Sequence, residues 1–531
     1  MTRTLRIGVL DLVAKAPTRA LYARVMHPSL ASVMPQAIAV WCEELGHQVS
    51  FVCYTGFEDL LAELPERTDL LFVGAFTQAA QLAYAISNLF RQRGAVTALG
   101  GPHARCYPDD ARKYFDYVLG FTDRTVIEEV LRDCAPHRPV GVDLSAPRQP
   151  LHLPGVRERW KFIKPTLAKC PTRIKVVPMI GSLGCPYTCS FCIDSTVDYQ
   201  PMGYDQIRED LRFLVRTLPR PIVGWHDPNF GVRFDDFLSA IEDAVPPGKL
   251  AFIAESSLSL LAEPNLKRLR AAGFQAMLPG IESWYSLGNK SRTGRKQGMD
   301  KVEQVSDHVN MILRYLPYVQ TNFVLGLDDD VGSEPFELTK RFLDRTPGAF
   351  PGYSLLTAFG EAAPLNLELQ RAGRVLPFPF HFLNNNHAMN VRPRNYGWPE
   401  FYDRVIDLTT YSFSWKVMGR RARGTRLGFA TWFNLVRGIS SEGFGRIRYY
   451  TTIRRLLDTD RGLRAFFEGE TRQLPEFYVR RIRHDLGPLW SFLPPGALVH
   501  DPEAYLARAR AQTVPLAPAR AAAAAQANAV R

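Results

Sequence analysis

At 531 residues the chain exceeds what one ordinary hydrophobic core organises, so two or three domains are expected. Its 46% hydrophobic and 22% charged content is that of a folded globular protein, and no apolar run reaches the roughly 20 residues that cross a bilayer. The formal charge of +12 is concentrated late, since from Phe401 onward 21 Lys and Arg face 11 Asp and Glu. That surplus fits a solvated basic helical face, an anionic substrate or an acidic membrane surface, and no recognisable nucleic-acid module accompanies it.

The chain runs from Met1 directly into a strand pattern, without a secretory leader, so a cytoplasmic location is expected. Residues 1–135 alternate strands at Leu5 to Asp11, Gln48 to Tyr54, Leu70 to Gly74, Val96 to Gly100 and Tyr117 to Gly120 with helical stretches such as Pro35 to Leu45 and Ala79 to Arg93. This order predicts an α/β fold that opens with a Rossmann-like parallel sheet domain. Its ligands belong at the carboxyl ends of the strands, where Phe76, Thr77 and Gln78 and then Gly100, Gly101, Pro102 and His103 fall. Residues 136–175 are rich in proline and basic side chains and read as a linker.

Residues 176–360 carry longer units. Strands are predicted at Val176 to Ser182, Pro221 to Asp227, Leu250 to Glu255, Ala276 to Glu282, Val319 to Leu325 and Gly352 to Phe359. Helices separate them at Asp205 to Leu218, Phe234 to Ala244, Glu263 to Ala272, Asp300 to Arg314 and Pro335 to Asp344. Repeated strand and helix units of this kind predict a partial (β/α)6 barrel of the TIM type, with its chemistry at the carboxyl rim. Residues 361–511 read as a mainly helical, basic and aromatic region, with amphipathic helices at Glu400 to Tyr411 and Ile447 to Phe467. Its aromatic residues, Trp415, Trp432, Phe433, Tyr449, Tyr450 and Phe466, are expected mostly in the core. Residues 512–531 form an Ala- and Pro-rich tail expected to be disordered.

Three of the eight cysteines crowd into Gly184-Cys185-Pro-Tyr-Thr-Cys189-Ser-Phe-Cys192, on a loop after the first barrel strand, and no cysteine follows. Three thiolates at this spacing surround one metal centre and leave a coordination position unfilled by protein. Structural zinc sites use four protein ligands, and four-cysteine ferredoxin spacing is absent, so an iron-sulfur cluster with one open iron is the better fit.

At these residues the chain resembles the radical S-adenosylmethionine (SAM) superfamily, whose signature is C-x-x-x-C-x-x-C with an aromatic before the third cysteine, here Phe191. The resemblance implies a 4Fe-4S cluster on Cys185, Cys189 and Cys192 whose open iron binds SAM and cleaves it reductively to a 5'-deoxyadenosyl radical. Along the barrel it implies that Asp227 accepts from the SAM ammonium and that Glu282 and Ser283, in a Gly-x-Glu-Ser turn, face ribose and methionine, with Lys290 close behind. It also implies that Asn322 and Gly326 border the adenine.

An open sheet domain placed before such a barrel resembles the cobalamin-binding branch of that superfamily, over roughly residues 1–380. That resemblance implies cobalamin at the strand ends, with Thr77, Gly100, Gly101 and His103 as candidate contacts. The Asp-x-His-x-x-Gly motif of many cobalamin proteins is absent, because Leu, Val, Ala and Lys15 follow Asp11. The leading expectation is methylation of an unactivated carbon of a small-molecule or lipid-like substrate, with electrons from an external flavodoxin or ferredoxin. Peripheral membrane contact is compatible with it, and nucleic acid is not expected. The alternatives are a radical cyclase or oxidase without net methyl transfer, a corrinoid or cluster sensor, and a methylthiotransferase. The last would enlist Cys42, Cys53 and Cys106 for a second cluster, although their helix and strand positions favour packing.

Overall fold

The structure, a computed structural model, describes residues 3–170, 175–384, 386–425 and 428–505. The Ala- and Pro-rich tail lies outside the described residues.

Strands β1 (Arg6–Leu12), β2 (Gln48–Tyr54), β3 (Leu70–Ala75), β4 (Val96–Gly100), β5 (Tyr117–Leu119) and β6 (Val142–Leu144) form one parallel sheet in the order β2-β1-β3-β4-β5-β6. Period-2 alternation divides the side chains between two cores. Leu10, Leu71 and Val73 pack with the helix Ala80–Gln92 on one face, whereas Ile7, Val9, Leu70 and Phe72 pack with the helix Val33–Glu44 on the other. Both faces being covered, the central strands read as continuous apolar runs.

The segment expected as a linker is more ordered than its composition implies. It contributes β6, paired in parallel with β5, and the helix Val156–Ala168. An edge strand of three partly exposed residues carries no apolar run, and Pro165 interrupts the helical pattern, so neither element stands out in the sequence.

Strand β7 (Val176–Met179) opens a second sheet. A short antiparallel ladder of β8 (Ser182–Leu183) with β9 (Gln200–Pro201) follows it. Then β10 (Ile222–Trp225), β11 (Ala251–Ser257), β12 (Phe274–Glu282), β13 (Tyr318–Leu325) and β14 (Phe350–Leu355) complete a parallel sheet in the order β14-β13-β12-β11-β10-β7. β14 and β7 stand at opposite ends of that order, so the barrel is partial. Along β13 and β14 one face is packed, while Gln320, Asn322, Val324, Gly352 and Ser354 keep accessible surface on the other. The inner face therefore borders a hollow rather than a filled core.

Helices Trp398–Ser412, Trp415–Gly424, Phe429–Ile439, Phe444–Thr459, Arg461–Glu468 and Glu476–Leu486 make up the C-terminal region. The helix expected from Ile447 to Phe467 is two helices, because Asp460 leaves the helical conformation and caps the second by accepting from Leu463 N at 3.0 Å. Tyr450 and Phe466 are core residues, but Trp415 and Trp432 are 69% and 46% exposed. Part of the basic surplus is internal: the Arg421 and Arg437 guanidinium groups lie 5.4 and 4.1 Å from the Phe350 ring centre. No described helix is long and apolar enough to cross a membrane.

Candidate active site

The cysteine loop is shaped by backbone. Gly184 has φ +67°, and a Cβ there would meet Asp198 O at 2.3 Å and Val197 O at 2.5 Å, so only glycine fits. Cys185 N donates to Val197 O at 3.3 Å and Cys192 N to Cys189 O at 2.9 Å, which curls the loop on itself. Leu365 N donates to Ser190 O at 2.9 Å and ties the loop to the segment after the barrel.

Cys189 is buried, Cys185 and Cys192 are half-buried, and the three thiols lie within electrostatic reach of one another. Burial raises all three thiol pKa values, so ionisation calls for a cationic centre among them. Asp194 N points at Cys192 Sγ from 3.4 Å, a backbone donor of the kind that tunes a metal-bound sulfur. Among the described residues no three His, Cys, Asp or Glu side chains converge tightly enough for a single metal ion. What ties the three thiols to one centre is their placement on a single curled loop, with no fourth protein ligand beside them among the described residues.

Beside this loop Lys290 Nζ donates to Glu282 Oε1 at 2.6 Å. Burial works against the ammonium, but Glu282 and the Cys189 and Cys192 thiols outweigh it and raise the Lys290 pKa. Glu282 itself has φ +66°, and its carboxylate folds back over Gly280, where a Cβ would lie 2.1 Å from Oε1. The sequence set Lys290 close behind Glu282, and the structure pairs the two.

Glu255, at the end of β11, escaped sequence reasoning. Along β11 it shares the accessible face of the alternating strand with Ala251 and Ile253, so it faces the hollow. No hydrogen bond reaches its carboxylate among the described residues; burial raises its pKa, and Lys290 and Glu282 are the charges that act on it. The weak signal was a carboxylate directly after the apolar run Ala251 to Ala254.

Other expected contacts lie differently. Asp227 is 4% exposed and engaged at both oxygens, accepting from Gly181 N at 2.7 Å and Ser182 Oγ at 2.6 Å. Burial lifts its carboxyl to about 6 against those bonds. The residue expected to meet the SAM ammonium instead braces the strand that leads into the cysteine loop. Ser283 is buried and accepts from Tyr285 N at 3.1 Å, while Lys301 Nζ holds the same turn by donating to Ser283 O and Ser286 O at 2.6 Å each. Asn322 faces the hollow and accepts from Gln320 Nε2 at 2.6 Å. Gly326, expected beside adenine, is covered by protein, since a Cβ there would lie 2.9 Å from Met389 Sδ and 3.1 Å from Phe401.

The carboxyl edge of the first sheet meets the cysteine loop. A cavity of about 380 Å³ is walled by Phe76, Thr77, Gln78 and Pro102 on one side and by Phe191, Cys192 and Ile193 on the other. A second, largely apolar cavity of about 120 Å³ runs beneath that edge, lined by Gly100, Gly101, Phe76 and Ile38. A Cβ at Gly100 would meet Leu119 Cβ at an ordinary 3.9 Å, whereas Gly101, at φ +92°, is required by Ala75, whose carbonyl oxygen a Cβ would approach to 3.0 Å.

His103 does not reach either cavity as a metal ligand. It is fully buried, its Nε2 lies 2.6 Å from Tyr84 OH, and its ring meets Phe380 edge-on at 4.7 Å. Burial, with help from His500, lowers its pKa to about 3. Cys42, Cys53 and Cys106 are likewise buried on separate elements, and burial pushes the Cys42 and Cys106 thiols up to about 12. They supply no second cluster site.

The combination of an open parallel sheet, a partial parallel barrel and a helical C-terminal region is the fold of the cobalamin-dependent radical SAM enzymes. The chain superposes on the cobalamin-dependent S-adenosylmethionine radical enzyme OxsB with a TM-score of 0.56, at 11% identity over 93% of this chain and 84% of that one. It superposes on the radical S-adenosylmethionine methyltransferase TsrM from Kitasatospora setae with a TM-score of 0.51, at 15% identity over 71% of this chain and 78% of that one. In sequence it is similar to two curated proteins of Chlorobaculum tepidum. One is bacteriochlorophyllide d C-12(1)-methyltransferase, 24% identical over 69% of this chain and 79% of the relative. The other is bacteriochlorophyllide d C-8(2)-methyltransferase, 25% identical over 66% and 78%. No family model matches the chain.

Proposed function

We propose that this chain is a cobalamin-dependent radical SAM methyltransferase acting on an unactivated carbon of a small molecule. The observation that carries the reading is the shared cavity: Thr77 and Pro102, from the edge where a corrin ring would lie, face Phe191 and Cys192 of the cluster loop. The similarity to methyltransferases in sequence and to cobalamin-dependent enzymes in fold supports it.

In this reading Cys185, Cys189 and Cys192 hold a 4Fe-4S cluster, and Thr77, Gly100 and Gly101 border cobalamin. When bound, the cluster with SAM supplies a 5'-deoxyadenosyl radical, and cobalamin supplies the methyl group. The chain's own part is to bind, orient and exclude water. Phe191, Ile193, Phe359 and Leu383 give the cavity apolar walls, which protect a carbon radical from stray hydrogen donors. Glu282, Glu255 and Lys290 together leave one negative charge in excess, matching SAM, whose sulfonium, ammonium and carboxylate sum to one positive charge. Lys290 takes the carboxylate and Glu255 the ammonium. Hydrogen-atom abstraction needs no acid and base pair.

Each methyl transferred consumes two SAM and two electrons. One SAM leaves as methionine and 5'-deoxyadenosine, the other as S-adenosylhomocysteine. An external flavodoxin or ferredoxin in a reducing cytoplasm supplies the electrons. Methyl-labelled SAM given to reconstituted protein with tetrapyrrole and other small-molecule candidates tests the reading. Label in a product supports it, whereas turnover to 5'-deoxyadenosine with a modified but unlabelled product favours cyclase or oxidase chemistry and overturns it.

A further inference from the structure

We propose that a basic pocket where the first sheet domain meets the C-terminal region binds an oxyanion of the substrate, a carboxylate or a phosphate. The proposal rests on the cavity between Thr77 and Cys192 being the reaction chamber.

Lys15 lies just past β1, on the carboxyl edge of the first sheet. Its Nζ donates to His381 O and sits 5.3 Å from the centre of the Phe382 ring, and no ion pair reaches it among the described residues. Arg446, only 6% exposed, donates from Nη1 to Tyr353 O at 2.7 Å and likewise has no carboxylate partner there. Arg481 and His381 share one acid, Asp485, at 3.1 and 2.9 Å. His387 is held by Asn384 through Nδ1, and Lys15, Arg446, Arg481 and His381 all act on it. Lys15, Arg446 and the two imidazoles thus gather beside a single carboxylate, which Arg481 reaches from the exposed side and His484 also contacts at 3.1 Å.

Enclosed cations without counter-ions are costly, because desolvation is not repaid by a partner. Burial already lowers the Lys15 ammonium to about 8, against the pull of Asp485. Lys15 and His387 are nonetheless only half-buried, so neither side chain is sealed from a ligand. Asn384 links this cluster to the chamber, since it bonds His387 and lines the same cavity as Thr77, Gln78 and Cys192. A bound oxyanion there would be paired by Lys15 and Arg446 while the rest of the substrate lies toward the cluster. The SAM carboxylate is matched to Lys290, beside the cysteine loop. The remaining rival is the phosphodiester of cobalamin.

Isothermal titration of the holoprotein, with cluster and cobalamin in place, against inorganic phosphate and acetate tests this. The expected result is saturable binding of at least one anion, weakened about tenfold or more by Lys15→Met and by Arg446→Gln with iron and cobalamin contents unchanged. Arg446→Gln also loses a bond to Tyr353 O; if that variant fails to fold, Lys15→Met decides. Absence of saturable binding to the unaltered protein, or equal binding to Lys15→Met, overturns the proposal. Phosphate binding confined to cobalamin-free protein assigns the pocket to the corrinoid and overturns it as a substrate site. The titration requires neither SAM cleavage nor methyl transfer, so its failure leaves the cluster reading standing.

Discussion

Arg105 joins the two halves of the chamber to Asp194: its Nη1 lies 3.3 Å from Asp194 Oδ1, and its Nη2 donates to Ile193 O at 3.1 Å. Arg105 belongs to the helix Pro102–Cys106, which starts at the carboxyl edge of the first sheet, and Asp194 follows Cys192 by two positions. One guanidinium therefore fixes the spacing between the edge proposed for cobalamin and the loop proposed for the cluster.

For Arg105→Met the expectation is a protein that retains iron and still cleaves SAM, but couples cleavage to methyl transfer poorly. Misplacement by about 1 Å can reduce a rate by about a hundredfold, so the ratio of labelled product to 5'-deoxyadenosine should fall at least tenfold. An unchanged ratio would show that the Arg105 to Asp194 contact does not set the geometry.

Gly184 makes the cysteine loop a backbone problem as much as a ligand problem. Gly184→Ala should lose most of its iron although all three cysteines remain, because the new Cβ would enter the carbonyls of Val197 and Asp198. Iron analysis after anaerobic reconstitution checks this, with Gly248→Ala as a control at a glycine that has open space around it.

Glu255 and Lys290 are expected to divide the amino acid end of SAM. Equilibrium dialysis should show SAM binding weakened about tenfold by Glu255→Gln and by Lys290→Met. Decarboxylated SAM, which keeps the ammonium, should remain sensitive to Glu255→Gln and become indifferent to Lys290→Met. Wild-type affinity in Glu255→Gln would return the ammonium to another acceptor.

The contribution of Asp11 and Asp330 to stability should fall as pH rises from about 4 to 7, whereas buried His103, whose folded pKa is lowered to about 3, acts in the opposite direction. Burial raises Asp11 to about 6 and Asp330 to about 7 from an unperturbed 3.8, despite hydrogen bonds from Ser32 to Asp11 and from Gly326 and Leu327 to Asp330. A carboxyl whose folded pKa is raised binds more protons folded than unfolded within that window. Its cost is absent below the unfolded value and fully present above the folded one. Asp330→Asn keeps an acceptor for the two amides and should gain stability relative to the unaltered protein as pH rises through 4, 5.5 and 7 in denaturant titrations.

Strand positions in both sheets were legible because buried parallel strands concentrate apolar β-formers between helices of clear amphipathic period. The cysteine loop was legible as a candidate site because its spacing is local, and the pairing of Glu282 with Lys290 joins residues close in the chain. What escaped depends on partners distant in sequence. Asp227 becomes a brace only when Gly181 and Ser182 turn toward it, and His103 becomes core only when Tyr84 and Phe380 close over it. Gly326 was read against an empty space that Met389 fills from more than sixty residues away. Glu255 belongs to no local pattern, and its role follows from the hollow it faces.

Electron paramagnetic resonance of anaerobically reconstituted, dithionite-reduced protein, recorded with and without SAM, bears most directly on the central claim. A four-iron signal that changes on adding SAM, and is lost in Cys189→Ala, is the expected result. Protein that carries zinc in place of iron, or a reduced cluster whose signal SAM leaves unmoved, would contradict it.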